Sequence, residues 1–365
     1  MKINYVMTGI GQSGGSYVIL EIIRGLLARG HDVTITTNNY GQRAEGIKLF
    51  TPNKLIDHLE YPIFSPPNVL LRAVRKIAVT LFPIYSEVTR KIRFLDAIVP
   101  DCDINVATDC FSAYPVFKSQ KGMKFYHMQH YEPIFYDNPN IKELAKSTYT
   151  LPLNKIVNSI WLKGQMKEKY GIELPVINPA INHREFYPRE ARRTPSIKRV
   201  LCYGRKDQWK GFKDAIDAMK IVFKELKDVE WIVYGFPSLP WSPDAPYRHV
   251  GYLDHDKLAE LYSSADMFFL PSWHESFPLQ PLEAMACGIP VVTTQFGTED
   301  YAVHEENSLV VPPRKPEIMA DSIIRILTDD KLAGKLREEG VGTAKKFTWD
   351  KTVDKIEELF KNALK

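Results

Sequence analysis

Short apolar runs alternate with amphipathic stretches along most of this chain. The first set is an apolar run at residues 2–8, a stretch at 16–29 with apolar residues at every third or fourth position, and a second apolar run at 33–37. A spacing of three to four is typical of the buried face of a helix, and a short continuous apolar run is typical of a buried strand. Gly30 follows the amphipathic stretch, as expected for a residue that ends a helix. The chain therefore opens with a predicted strand–helix–strand unit.

The alternation continues to the end of the chain. Further strands are predicted at 103–108, 123–128, 149–159, 199–203, 230–234, 267–270 and 289–294, and further helices at 161–170, from 212, at 257–265, from 279, at 316–327 and at 351–365. Strands that alternate with helices form parallel sheets in the α/β class. Because 365 residues exceed what one core holds, we expect two domains, with the Pro-rich stretch at 171–188 between them.

The composition is that of an ordinary globular protein, with 44% apolar and 25% charged residues. The four cysteines (Cys102, Cys110, Cys202 and Cys287) have no paired spacing, so we expect reduced thiols in a cytoplasmic protein rather than disulfides or a zinc site. The first residues already form a predicted strand and no apolar run reaches membrane-spanning length, so we expect neither a leader nor a transmembrane helix. The net charge of +4 is too small to indicate a nucleic-acid partner.

Charged residues collect at two predicted strand ends in the second half. Glu275 lies in a loop, and Glu283 follows with seven residues between them, one turn inside a helix that starts near residue 279. The amides and dipole of a helix N-terminus favour an anion, so a phosphate with a carboxylate on either side describes a nucleotide-sugar site. Arg205 and Lys210 follow another strand, where a guanidinium and an ammonium can hold a diphosphate. As isolated residues, the same charges would be ordinary solvated surface groups.

The first loop is rich in glycine. Gly9, Gly11 and Gly14 have the spacing of the G-x-G-x-x-G dinucleotide fingerprint. That fingerprint needs an acid at the end of the second strand, where this chain has Asn38 and Asn39, so we reject a Rossmann oxidoreductase. Two interpretations remain: a loop that a ligand approaches closely, or a tight turn that needs glycine for its geometry.

A polar cluster follows the strand predicted at 123–128. His127 lies near the end of that strand, and His130 and Glu132 lie just beyond it. Because open α/β sheets bind ligands at the carboxyl ends of their strands, these side chains are candidates for a binding site. Each histidine, taken alone, is also consistent with a structural role.

Three passages carry a further signal. They are LPSWHESFPLQPLEAMACGIPVV at 270–292, the pairs GR and KG at 204–205 and 210–211, and FTWDKTV at 347–353. Together they resemble the large retaining GT-B glycosyltransferase family of group 1 (family 4), which has an E-x(7)-E motif, and the stretch after His127 resembles a rhamnosyltransferase-like branch. The resemblance implies an α/β protein with two facing Rossmann-like domains, an interdomain cleft and a C-terminal crossover helix. The implied boundaries are an acceptor-side domain at 1–175, a linker at 176–190, a nucleotide-sugar domain at 191–346, and at 347–365 a helix that returns to the first domain.

The resemblance also implies roles for single residues. Arg205 and Lys210 would stabilise the departing diphosphate. Glu283 would bind the ribose hydroxyls and Glu275 the sugar hydroxyls. His127, or His130 in another register, would contact the sugar near the reacting carbon. Further donor contacts are implied at Gly14, Gly15, Gly251, Tyr252, Ser276, Phe277, Leu279 and Gln280, with Glu132 as an additional candidate.

The implied reaction uses a nucleoside diphosphate sugar as substrate, with no metal and no separate cofactor. In the family, retention is attributed to attack on the face that the phosphate leaves, with that phosphate accepting the acceptor's proton. This chain departs from the family pattern at Pro278, where glycine is common, and at Gly235-Phe236-Pro237, where Gly-x-Gly is usual. Proline donates no amide hydrogen bond, so the sugar specificity is open. A nucleotide-sugar 2-epimerase and a non-catalytic nucleotide-sugar-binding relative remain as alternatives.

Positive charge is concentrated in the first half of the chain. Residues 1–180 hold 21 Lys and Arg against 15 Asp and Glu, and residues 70–94 hold six bases and one acid within an apolar pattern. A basic amphipathic helix there would bind anionic lipid at the inner face of a membrane, near a lipid-linked acceptor for cell-surface polysaccharide. The alternative is a helix packed in the first domain whose bases face water, with a soluble glycan as acceptor.

Overall fold

The computed structural model describes residues 1–11, 13–37, 48–50, 99–190, 196–237 and 239–365. The basic segment at 70–94 and the residues Asn38 and Asn39 lie outside the described residues. The described chain divides into two compact units. The first comprises Met1–Asn158, Leu162–Ile177 and Val353–Lys365, and the second comprises Ser159–Trp161 and Asn178–Thr352.

The first unit contains a sheet whose described strands are all parallel, in the order β3-β2-β1-β4-β5-β6. The strands are β1 (Lys2–Met7), β2 (Asp32–Thr37), β3 (Lys48–Phe50), β4 (Ile104–Ala107), β5 (Met123–Met128) and β6 (Asn154–Val157). Its described helices are α1 (Gly14–Ala28), α2 (Cys110–Lys118), α3 (Pro139–Ser147) and α4 (Ile160–Tyr170). The apolar positions that predicted α1 face inward, with Val18, Ile22 and Leu26 at most 4% exposed.

The second unit repeats this architecture in the order β12-β11-β10-β7-β8-β9, again with parallel pairs. Its strands are β7 (Lys198–Gly204), β8 (Val229–Gly235), β9 (Arg248–His249), β10 (Met267–Leu270), β11 (Val291–Thr294) and β12 (Leu309–Val311). Its helices are α5 (Phe212–Glu225), α6 (His255–Ser263), α7 (Leu279–Ala286), α8 (Pro316–Thr328) and α9 (Asp330–Ala344). The aromatic rings of Phe212, Trp231 and Phe269 pack together in the core.

The last helix, α10 (Trp349–Ala363), contributes its residues from Val353 onward to the first unit. The Phe360 ring lies 4.8 Å from the Phe125 ring, and a Cβ at Gly25 would approach Val353 Cγ2 to 2.5 Å. Glycine at position 25 therefore lets α10 pack directly on α1. The Arg29 guanidinium adds an ion pair of 2.6 Å with Asp354.

Both sheets have a point where the strand order reverses. The chain leaves β1 on one side and returns on the other at β4, and it leaves β7 and returns at β10 in the same way. Loops that follow the two strands at such a point diverge to opposite faces and leave a crevice at the carboxyl edge. The Gly-rich loop follows β1, and the loops with Lys210 and Glu275 follow β7 and β10.

The structure differs from the sequence predictions at several elements, for example the following. The strand predicted at 149–159 is limited to β6, because Pro152 cannot donate to the ladder and a 3-10 turn at Thr148–Thr150 precedes it. Helix α9 was not predicted, since three glycines lower the helix propensity of its sequence, yet Gly340 lies close to Met285 of α7. Strand β12 was missed because it is only three residues long.

Candidate functional site

The loop after β7 carries both predicted phosphate ligands. Lys210 ends a 3-10 turn, and Gly211 follows with a φ of +66°. A Cβ at position 211 would overlap the carbonyl oxygen of Pro271, so only glycine lets this loop pack against the loop after β10. The close approach places Lys210 beside that second loop.

The loop after β10 carries Glu275. The Trp273 amide donates to the Trp209 oxygen at 2.7 Å, and the Glu275 amide donates to the Phe296 oxygen at 3.2 Å. The Lys210 ammonium donates to both oxygens of the Glu275 carboxylate, at 2.7 and 2.8 Å. The two side chains are 19% and 12% exposed. This pair joins the two loops at the reversal point of the sheet.

Arg205 lies on the β7 side of the same edge. Its guanidinium donates twice to Asp207 Oδ2, at 3.1 and 2.8 Å, and lies 5.8 Å from the centre of the Phe236 ring. The contact with Asp207 uses two of the five N–H groups of the guanidinium. Arg205 is therefore held in place and half-exposed, with donors beyond those that Asp207 uses.

Helix α7 begins four residues after Glu275, at Leu279. Its N-cap is Pro278, and no described side chain caps this helix end. The Pro278 carbonyl accepts a hydrogen bond from the Tyr301 hydroxyl at 2.7 Å, which fixes the residue that departs from the family pattern. The amides of Leu279 and Gln280 open the helix, and unsatisfied amides at a helix start are suited to an anion.

Glu283 lies on the next turn of α7 and is 6% exposed. Burial raises the pKa of its carboxyl to about 8, although the Tyr262 hydroxyl donates to it at 3.3 Å. Tyr262 in turn shares a 2.6 Å hydrogen bond with Tyr234. Glu283 is therefore mainly protonated at neutral pH and ionises when an environment more favourable to charge is supplied.

The other residues of the second unit that were predicted to bind the donor differ in exposure and in their contacts. Gly251 has a φ of +73° and its carbonyl accepts from the Gly235 amide at 2.8 Å, while Tyr252 is exposed and lies edge-on to Phe236. The Ser276 hydroxyl lies 3.3 Å from that of Ser159, and the Phe277 ring is buried in the second unit. For Ser276 and Phe277, the backbone rather than the side chain is the part suited to a ligand.

In the first unit, His127 is buried near the end of β5, with 1% of its surface exposed. Burial lowers the pKa of its imidazole to about 4, so the ring is neutral at physiological pH. Within the described part of the chain, its Nε2 has no hydrogen-bond partner. His130 instead packs at 4.7 Å on the Phe135 ring and is half-buried.

Glu132 has a structural role that the sequence did not reveal. Its carboxylate accepts from the Cys110 amide at the start of α2 and from the Tyr126 hydroxyl, both at 2.9 Å. Burial, together with nearby Asp109, raises the pKa of this carboxyl to about 7. Its contacts are thus made within the first unit.

The Gly-rich loop forms the start of α1. Gly14 and Gly15 are its first two residues, and the Ser13 side chain caps it by accepting from the Ser16 amide. A Cβ at Gly14 would meet no described atom within 4 Å, and one at Gly15 would lie 3.9 Å from Gln129. The glycines therefore leave open space at this helix start, in keeping with the interpretation that a ligand approaches the loop.

Residues 197–329 match the family model described as Glycosyl transferases group 1. This segment contains the Lys210–Glu275 pair, Arg205 and Glu283. Over this segment the chain is similar to group 1 glycosyltransferases.

Curated relatives of this chain include an O-antigen biosynthesis protein of Myxococcus xanthus, 28% identical over 81% of the chain and 24% of that protein. A D-inositol 3-phosphate glycosyltransferase of Acidothermus cellulolyticus is 39% identical over 62% of the chain and 57% of that enzyme. One from Corynebacterium glutamicum is 29% identical, over 52% of each protein. The chain spans about half the length, or less, of the curated relatives it matches.

Solved structures confirm the predicted GT-B fold. A sucrose-phosphate synthase from Thermosynechococcus elongatus superposes with a TM-score of 0.73, at 18% identity over 100% of this chain and 99% of that one. Anabaena HepE in complex with UDP and glucose also gives 0.73, at 16% identity over 99% of each chain. Because identity is low, these likenesses show the fold alone.

Sequence reasoning missed Asp214, Trp273 and Arg314. The Trp273 indole donates to Asp214 Oδ2 at 2.5 Å, and the Arg314 guanidinium lies 3.8 Å from the centre of the Trp273 ring. Trp273 and His274 lie within the motif at 270–292, and this position was the sequence feature that could have marked them as site residues. Nothing in the sequence placed Arg314 beside them.

Two further observations concern ligands and membranes. The described residues contain no group of His, Cys, Asp and Glu able to hold a metal ion. Among the helices that the structure describes, none is both long and apolar enough to cross a membrane.

Proposed function

We propose that this protein transfers a sugar from a nucleoside diphosphate sugar to an acceptor, with the donor on the second unit. The observation that carries the proposal is the Lys210–Glu275 pair, which joins the loops after β7 and β10 beside the start of α7. A cation, a carboxylate and open helix amides converge there, at the edge where α/β sheets bind ligands. This set matches the three parts of a nucleotide sugar: diphosphate, hydroxyls and ribose.

The diphosphate would lie against Lys210, Arg205 and the first amides of α7. Lys210 is held by Glu275 before the donor binds, so its ammonium is oriented and needs only to shift toward a phosphate oxygen. As the sugar leaves, negative charge grows on the phosphate, and fixed positive groups stabilise that charge without reorganising. We therefore propose that the reaction needs no metal ion and no separate cofactor.

Glu275 and Glu283 would bind hydroxyl groups on either side of the diphosphate. Glu275 lies in the loop and suits the sugar, whereas Glu283, buried one turn into α7, suits the ribose. Two hydroxyl donors would favour the ionised form of Glu283 and so lower the pKa of a carboxyl that burial otherwise raises to about 8.

His127 would bind the transferred sugar as a neutral hydrogen-bonding group. Its burial and low pKa exclude a cationic role at physiological pH. Its unpartnered Nε2 is an atom that a sugar hydroxyl would satisfy. With no protein base assigned, the leaving phosphate would accept the acceptor's proton, and the configuration of the sugar would be retained.

The acceptor is proposed to be a glycan or lipid-linked molecule of a cell-surface polysaccharide, because a relative is an O-antigen biosynthesis protein. The basic segment at 70–94 would bring the enzyme to an anionic membrane surface. Co-sedimentation with liposomes tests this part separately. Binding should rise with anionic lipid and fall when Arg72, Arg75 and Lys76 are changed to glutamine, and protein that stays in the supernatant at low salt contradicts membrane docking.

The transfer itself is tested with radiolabelled nucleotide sugars. UDP-glucose is the first donor to try, because a HepE structure contains it, followed by GDP- and ADP-linked sugars and UDP-N-acetylhexosamines. Incubation with membrane-extracted lipid acceptors or oligosaccharides should produce a labelled product. An epimerised donor would instead indicate the 2-epimerase, and nucleotide binding without turnover would indicate a binding protein.

A further inference from the structure

Arg314 carries a positive charge that the described residues do not neutralise. It is exposed, and no described carboxylate lies within 4.0 Å of its guanidinium. Its guanidinium carbon lies 3.8 Å from the centre of the Trp273 ring, a cation–π contact that favours this position of the side chain. Trp273 is itself fixed by its hydrogen bond to Asp214. A guanidinium on an indole uses none of its five N–H groups in that contact, so they remain able to meet an anion.

The backbone at Arg314 supports a specific role. Its φ is +57°, and among the described non-glycine residues only Glu305 shares a positive φ. Side chains other than glycine rarely adopt this conformation, and such residues persist where the surrounding structure requires them. The residue with this backbone conformation is the one whose guanidinium contacts the Trp273 ring.

The location of Arg314 connects it to the site of the proposed function. Trp273 and His274 directly precede Glu275 in the same loop. Burial lowers the pKa of His274, and the nearby charges of Lys210 and Arg314 lower it further while Glu275 raises it. Among the described residues Glu275 pairs with Lys210, and Arg314 brings a second positive charge near His274.

We propose that Arg314 is a specificity-determining residue that binds an anionic group, a carboxylate or a phosphate, on the molecule occupying the Glu275 loop. This inference rests on the proposed function. The anion has two sources: the sugar of the donor, as in a hexuronate, or the acceptor, as in a sugar phosphate. A neutral hexose would leave the fixed guanidinium without a partner, and a planar fork suits either anion.

Calorimetric titration with two matched pairs of ligands distinguishes the sources. UDP-glucuronate against UDP-glucose probes the donor, and glucose 6-phosphate against glucose, with and without saturating UDP, probes the acceptor. We expect wild type to prefer the charged member of one pair by at least about tenfold, as expected for a charge-assisted hydrogen bond. Arg314→Gln should reduce that preference to about threefold or less, and Arg314→Lys should retain part of it.

Arg337→Gln is the matched control, because Arg337 is an exposed arginine of α9. It should keep the preference of wild type. A wild type without preference in either pair, or a preference that Arg314→Gln keeps, overturns the role of Arg314. UDP alone reports the proposed function separately: if neither UDP, GDP nor ADP binds while Arg314 still governs glucose 6-phosphate binding, the proposed function fails and the anion site stands.

Discussion

Lys210 and Glu275 are 65 residues apart, yet the Lys210 ammonium donates to both carboxylate oxygens of Glu275, at 2.7 and 2.8 Å. Neighbouring strands β7 and β10 bring them together, since each residue lies in the loop that follows one of these strands. The pair compensates two largely buried charges. It also orients the ammonium that the proposed reaction uses.

Replacing Lys210 with alanine is expected to lower kcat by about 100-fold or more, because it removes a fixed cation from the growing phosphate charge. Glu275 would also lose its partner, so a modest fall in stability is expected. Lys213→Ala is the control, as Lys213 is an exposed lysine of α5 paired with Asp217. Kinetics at saturating donor measure both variants, and near-wild-type turnover of Lys210→Ala would contradict the assignment.

The pKa of Glu283 gives a pH dependence to donor binding. Burial places it at about 8, and ribose hydroxyls donate more strongly to a carboxylate than to a carboxyl. Nucleoside diphosphate affinity is therefore expected to rise between pH 7 and pH 9, above the range in which a terminal phosphate titrates. Glu283→Gln should abolish the rise. Equal pH profiles by calorimetry for both proteins would exclude a ribose contact at Glu283.

His127 can be tested with a substitution that keeps a planar aromatic ring. His127→Phe removes the nitrogen atoms, of which Nε2 has no described partner, so unfolding in urea should change little. Turnover is expected to fall by about 10- to 100-fold through loss of a contact to the sugar, while the affinity for nucleoside diphosphate stays the same. If turnover stays unchanged, the sugar does not contact His127 and His130 becomes the residue to test.

The two loops of the site meet at Gly211, which makes that glycine a test of the architecture. Gly211→Ala combines a positive φ with overlap on the Pro271 carbonyl, and we expect it to cost about 1–3 kcal/mol of unfolding free energy. Gly164→Ala in α4 is the control, since its Cβ meets no described atom within 4 Å. That control should be neutral or slightly stabilising. Urea denaturation of both variants measures the effect. Equal unfolding midpoints for Gly211→Ala and Gly164→Ala would contradict the contact between the two loops.

Chelation tests the proposed absence of a metal requirement. Arg205, Lys210 and the α7 amides are proposed to offset the diphosphate charge, so excess EDTA should leave the rate unchanged. An inactivation by EDTA that magnesium or manganese reverses would show that a cation shares this role. Inactivation that neither ion reverses would point to an effect of the chelator itself, which dialysis would remove.

The sequence by itself determined most of the local structure. Apolar runs located β1, β5, β7 and β10 within about one or two residues, because a buried parallel strand needs a continuous apolar stretch. Gly30 marks the end of α1 with a positive φ, as its position indicated. The same patterns failed where local propensity and tertiary packing favour different structures. Helix α9 is an example, because its glycines lower its helix propensity and neighbouring helices stabilise it.

Only the tertiary structure decided which residues meet. The order of the strands brings Lys210 into contact with Glu275. The packing of neighbouring elements brings Glu132 to the start of α2 and Arg314 to the Trp273 ring. Each of these partners is more than twenty residues from the other along the chain. The spacing of apolar residues along the sequence indicates which residues of one helix or strand are buried. Contacts between elements depend instead on strand order and on close approaches such as that of Gly211 to Pro271. The pKa values of His127 and Glu283 follow from the same burial, which no single stretch of sequence specifies.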